Sequence, residues 1–133
     1  NLPVVIHDRD AHRETMNLLK SWKGGRRGII HCFSGDYPMA KQCIELGFYI
    51  SIPGTVTFEK SEKLRSIVRD LPLETLLVET DCPYLPPNPF RGKRNEPAHV
   101  VHTARKIAEI KGKPFEEVAA ATTKNAKALF GIP

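Results

Sequence analysis

Apolar residues follow two alternating rhythms along the chain. Four short runs, at 3–7, 28–33, 47–52 and 75–81, are nearly continuous and rich in Val and Ile. That pattern suits strands covered on both faces, as in a parallel sheet. Between them the spacing changes to that of a helix. Asp10 precedes a stripe of Met16, Leu19 and Trp22 and is expected to cap it, with Gly24-Gly25 as the stop. Asp36 precedes Met39, Ala40, Cys43, Ile44 and Leu46, ended by Gly47. Ser61 precedes Leu64, Ile67, Val68 and Leu71, ended before Pro72. The order β-α-β-α-β-α-β predicts right-handed crossovers and a parallel α/β sheet. A Pro-rich, basic loop follows at 82–96. Pro97 then opens a helix to Lys111 with Val100, Val101, Ala104, Ile107 and Ala108 inward and Gly112 as its stop, and a pair of helical patterns fills 114–130.

Composition narrows the class. The 133 residues are 41% hydrophobic and 26% charged, which excludes a disordered chain. No apolar run nears the ~20 residues of a membrane span, so no membrane partner is expected. The net charge of +5 is mild and is compatible with a nucleic-acid partner without requiring one. Cys32, Cys43 and Cys82 are an odd number at no metal-like spacing; they read as reduced thiols of a cytoplasmic protein. The chain opens Asn1-Leu2-Pro3 and enters a strand pattern at once, as expected for the middle of a longer protein.

The chemistry gathers where the strands end. Side chains alternate faces along a strand, so His7 shares a face with Val5, His31 with Ile29, and Asp81 with Leu77 and Glu79. Three strands thus carry a potential ligand at their C-terminal ends, the end at which parallel α/β folds build sites. Two imidazoles and a carboxylate suit Zn, Mn or another divalent ion.

The strings Val-Ile-His7-Asp-Arg9-Asp-Ala-His12, Ile-Ile-His31-Cys-Phe-Ser34-Gly35, Glu79-Thr80-Asp81-Cys-Pro83-Tyr-Leu-Pro86 and Arg91-Gly-Lys93-Arg94-Asn95-Glu96-Pro97 resemble the TatD-type metal-dependent deoxyribonucleases, as do Gly47–Ser51 with Gly54 and the tail 122–131. The resemblance covers essentially the whole chain, in order. It implies a TIM-type (β/α)8 barrel that hydrolyses DNA phosphodiesters with one or two divalent ions (Zn, Mn or Mg), with residues 1–133 forming its C-terminal half, strands five to eight and the following helices. It also implies that His7 and His31 bind one metal, and that Asp81 serves the other or its activated water as a catalytic residue. The family's His-x-His pair on its first strand and its bridging Glu are not in this sequence. With His7 and His31 alone for one ion and Asp81 for the other, the expectation is weak metal binding and little or no nuclease activity for the isolated chain.

The flanking residues allow two readings each. Glu79, one inward step below Asp81, orients a ligand from behind or hydrogen-bonds inside the fold. Arg9 contacts a phosphate or forms a helix-entry salt bridge. Ser34 opens a helix at which a phosphate could sit, or is only its cap. Arg91, Lys93 and Arg94 follow the last strand and are expected to contact a DNA backbone. Tyr84 and Phe90 stack a base or pack over the loop, while His12, His99 and His102 read as surface or packing residues. Two other functions stay open: a small-molecule amidohydrolase, or a non-catalytic remnant that binds nucleic acid. Four strands leave two open edges with Val5, Ile29 and Leu77 uncovered, so the missing N-terminal half or a second copy is an expected partner.

Overall fold

The computed structural model of the chain describes residues 2–22 and 28–133. Four strands, β1 (Val4–His7), β2 (Gly28–His31), β3 (Phe48–Ile52) and β4 (Leu76–Val78), form one parallel sheet in the order β1-β2-β3-β4. Between them run α1 (His12–Ser21), α2 (Tyr37–Glu45) and α3 (Glu62–Asp70), and α4 (Val100–Lys111) and α5 (Phe115–Phe130) follow β4. The expected β-α alternation is present, and each parallel pair is joined through a helix, as parallel geometry demands.

The register explains why chemistry collects at one end. His7 pairs with His31 across β1 and β2, Ile30 with Ile50, and Ile52 with Val78. All strands therefore point the same way, and their last residues form one rim, here called the upper end. Ile30, Ile50, Ile52, Leu76, Val68 and Ile107 are fully buried between sheet and helices. Each contributes about 1.5–3 kcal/mol by leaving water.

Several sequence expectations need correction. β4 is three residues long rather than seven: Thr75 lies in a 3-10 turn (Leu73–Thr75), and Glu79 and Asp81 extend beyond the strand. β2 stops at His31 because Cys32 adopts φ 49, a left-handed turn out of the strand. Asp10, at φ 56, does not cap α1; Asp8 does the local work, its Oδ1 accepting from Ala11 N–H at 3.0 Å. Met16 and Leu19 are buried, but Trp22 is 50% exposed and lies off the apolar stripe. The Gly24-Gly25 stop falls outside the described residues. Asp36 caps α2 as expected, accepting from Met39 N–H at 2.9 Å, whereas Ser61 occupies the cap position of α3 without a side-chain hydrogen bond to it. Gly112 ends α4 at φ 61, where a side chain would strain. The pair of helical patterns at 114–130 is a single helix, α5. Of the three inward residues expected to be uncovered, only Val5 is exposed; Ile29 and Leu77 are covered by Leu129 of α5.

Candidate metal centre

The turn at Cys32 does more than end a strand. It presents the Cys32 N–H to Glu79 Oε1 at 2.8 Å, while His31 Nδ1 lies 2.8 Å from Glu79 Oε2. Ser51, on β3 between them, also hydrogen-bonds Glu79. Two residues on, Asp81 places Oδ1 3.1 Å from His31 Nε2, and its Oδ2 accepts from Cys32 Sγ at 3.0 Å. Glu79 is held at this height by its own N–H, which donates to Ile52 O at 3.2 Å and extends the β3–β4 pairing past the strand.

Burial pushes the Glu79 carboxyl up, reinforced by the charge of Asp81, while the hydrogen bonds from Ser51 and His31 and the charge of His31 pull it back. The Cys32 thiol is pushed up to about 12, first by burial and then by the hydrogen bond to Asp81 and the charges of Asp81 and Glu79. It is therefore an S–H donor and not a thiolate.

His31 stands between two carboxylates, and that position decides what the cluster can hold. An ionised carboxylate only accepts, so Nδ1 carries the hydrogen bound to Glu79. Nε2 faces the Asp81 carboxylate. Two acceptors 3.1 Å apart repel unless a positive charge, a proton or a cation, stands between them. Atoms of His31, Glu79 and Asp81 lie within 4.8 Å of one another, the one such group of three among the described residues. Donors ~2 Å from a shared ion lie about 3 Å apart, so the spacing fits. With the thiol protonated, the donors are nitrogen and oxygen, a set that Zn and Mn accept.

The other expected site residues divide. His7 is exposed beside this group, its ring 5.6 Å from that of His31, but is not one of the three. Arg9 is exposed and near enough for its charge to oppose the rise in the Cys32 pKa. Ser34 is exposed and does not cap α2, a role taken by Asp36. The Arg91 guanidinium lies 3.8 Å from the centre of the Phe58 ring. Lys93 and Arg94 are exposed on the same loop. Phe90 packs within the loop, stacked on His99 at 4.1 Å and edge-on to His102, while Tyr84 is largely exposed. His12 is more than a surface residue, because its Nδ1 bonds buried Asp8 at 2.9 Å. That pair could have been read from its i, i+4 spacing on a helix start. Buried Asn95, described below, gave no such signal.

A parallel α/β sheet with a histidine–carboxylate cluster past its strand ends defines the class: an α/β protein with a candidate metal centre at the usual end. The comparisons with known proteins are narrower. The family described as "TatD related DNase" matches residues 1–131. YabD of Bacillus subtilis, called an uncharacterized metal-dependent hydrolase, is 48% identical over 99% of this chain and 52% of its own length. The relative named TatD in Mycobacterium tuberculosis is 43% identical over 98% of this chain and 49% of its own. Among solved structures, the TatD homologue YjjV of Escherichia coli superposes with a TM-score of 0.90 at 34% identity, covering 99% of this chain and 51% of that one. The chain belongs to the TatD family. It spans about half the length of the curated relatives it matches. Among the described residues, no helix is long and apolar enough to cross a membrane.

Proposed function

We propose that residues 1–133 are the C-terminal half of a (β/α)8 barrel and serve a cytoplasmic, TatD-type hydrolase that cleaves DNA phosphodiesters with one or two divalent ions. The observation that carries this reading is His31 Nε2 facing Asp81 Oδ1 at 3.1 Å with Glu79 behind the ring. His31 Nε2 and Asp81 would hold an ion, with exposed His7 beside them. A bound divalent ion supplies an acidified water and compensates charge on phosphoryl oxygens. The protein's own part is arrangement. Glu79 holds Nδ1 from behind, which leaves Nε2 as the ring nitrogen that would meet an ion. The Cys32 S–H occupies Asp81 Oδ2, leaving Oδ1 directed at the site as the acceptor. Arg9, Ser34, Lys93 and Arg94 lie on the loops of this same rim and are suited to phosphate oxygens of a DNA strand. Arg91, stacked on Phe58, holds the loop instead.

The half-length match to relatives and the exposure of Val5 on β1 support a partner for that edge, either a missing N-terminal half or a second copy. The test joins this chain to the unmatched half of the Bacillus subtilis relative and measures Mn-dependent cleavage of single-stranded DNA. The chimera is expected to cleave, His31→Ala to abolish cleavage, and the 133-residue chain to show no cleavage above that variant. A folded, metal-binding chimera that leaves DNA intact sinks the nuclease reading.

A further inference from the structure

Asp81 contributes a carboxylate to the candidate centre from outside any strand, since β4 ends at Val78. Something other than the sheet must hold it. Its carbonyl accepts from Tyr84 N–H at 2.8 Å, which makes a tight turn of 81–84. Two further carbonyls of that turn, those of Pro83 and Tyr84, are both held by one residue. Asn95 N–H donates to Pro83 O at 3.0 Å, and Asn95 Nδ2 donates to Tyr84 O at 2.7 Å.

Asn95 is itself fixed from the other side. Its Oδ1 accepts from Glu96 N–H at 2.9 Å and lies 3.2 Å from His99 Nδ1. The His99 ring is clamped in turn, stacked on Phe90 with planes 7° apart. Asn95 is only 2% exposed, so its own side of these bonds is shielded from competing water. A buried residue whose backbone N–H and side-chain amide each hold one carbonyl of a turn, and whose Oδ1 meets two groups of the following helix start, is a latch.

We infer that Asn95 is a positioning residue for Asp81: through Pro83 and Tyr84 it sets where the Asp81 carboxylate stands opposite His31. The inference rests on the metal reading above for its consequence, but the placement of Asp81 can be observed without any ion. A second buried asparagine supplies the control. Asn125 Nδ2 donates to Leu73 O and Leu76 O at the opposite end of β4, so it is a buried amide that also holds two carbonyls but lies away from the 81–84 turn.

The test uses this chain with Asn95→Ala and Asn125→Ala, and with Asn95→Asp, an isosteric variant that keeps Oδ1 but puts a carboxylate oxygen in place of the donor to Tyr84 O. Three quantities are measured: the melting temperature, the 15N shifts of the His31 ring in metal-free protein, and the dissociation constant for Zn2+. Both alanine variants are expected to melt lower. Only the Asn95 variants should move the His31 Nε2 shift, and only they should weaken Zn2+ binding, by about 10-fold or more, as loss of a residue supporting a ligand does. If Asn95→Asp is folded yet leaves the His31 shift and Zn2+ binding at wild-type values, the inference is overturned. If wild-type chain binds no Zn2+ but the His31 shift still moves with Asn95 and not with Asn125, the latch stands and the metal reading falls.

Discussion

At its lower end β4 is closed by α5, where Asn125 takes up the carbonyls of Leu73 and Leu76 and Leu129 covers Ile29 and Leu77. At its upper end the same short strand gives way to Glu79 and Asp81, which meet His31 and Cys32 through four contacts of 2.8–3.1 Å. The lower end is satisfied and largely dry. The upper end carries two carboxylates around one imidazole, an arrangement that costs stability unless positive charge is shared among them. Three residues of strand thus separate a region specified by area from one specified by donors and acceptors. Damage to the two should therefore appear in different measurements.

The largest effect belongs to the lower end. Leu129→Ala should cost about 2–4 kcal/mol in urea unfolding, since it empties the cover over Ile29 and Leu77. The folded variant should keep its Zn2+ affinity; a parallel loss of affinity would mean that the two ends are not separable. Glu79→Gln reverses the pattern. The new amide would donate to His31 Nδ1 and force the ring hydrogen onto Nε2, facing Asp81. Zn2+ affinity should then fall about 10–100-fold, with the melting temperature near that of the wild type or above it, because a buried carboxylate is gone. Calorimetric titration beside thermal unfolding decides this. The smallest effect is a gain: the Thr103 hydroxyl in α4 is buried with no hydrogen-bond partner among the described residues, and Thr103→Val should stabilise by about 1 kcal/mol or less. A destabilised Thr103→Val would show that the hydroxyl is hydrogen-bonded in the folded protein.

The sequence exposed this division unevenly. The strand and helix order was legible because the apolar rhythm switches sharply between Val/Ile runs and i, i+3, i+4 stripes. His31 and Asp81 could be singled out because parallel strands bring their ends together, and Glu79 because it sits one inward step below Asp81. What could not be read was tertiary. The left-handed backbone of Cys32 shortens β2 and turns the N–H of that residue toward Glu79, though nothing in Ile-His-Cys-Phe announces it. Arg91 looked like one of three equivalent cations, yet a ring 33 positions earlier in the chain captures it. Leu129 covers Ile29 from a helix whose amphipathic pattern gives no sign of which strand it will meet.

That captured arginine belongs to a wider join. A Cβ on Gly54, after β3, would come within 3.3 Å of Leu85 O and Pro87, so those neighbours would have to give by a few tenths of an ångström. Asn88 bonds Thr57 through both its backbone N–H and its side chain, and Arg91 lies on Phe58 beside them. The loops after β3 and β4 are therefore one body. A ligand meeting this rim finds its contours already set, so less conformational entropy is lost on binding than two independent loops would lose. By the same token Lys93 and Arg94 extend from a fixed base, and only their own side-chain rotations remain to be ordered.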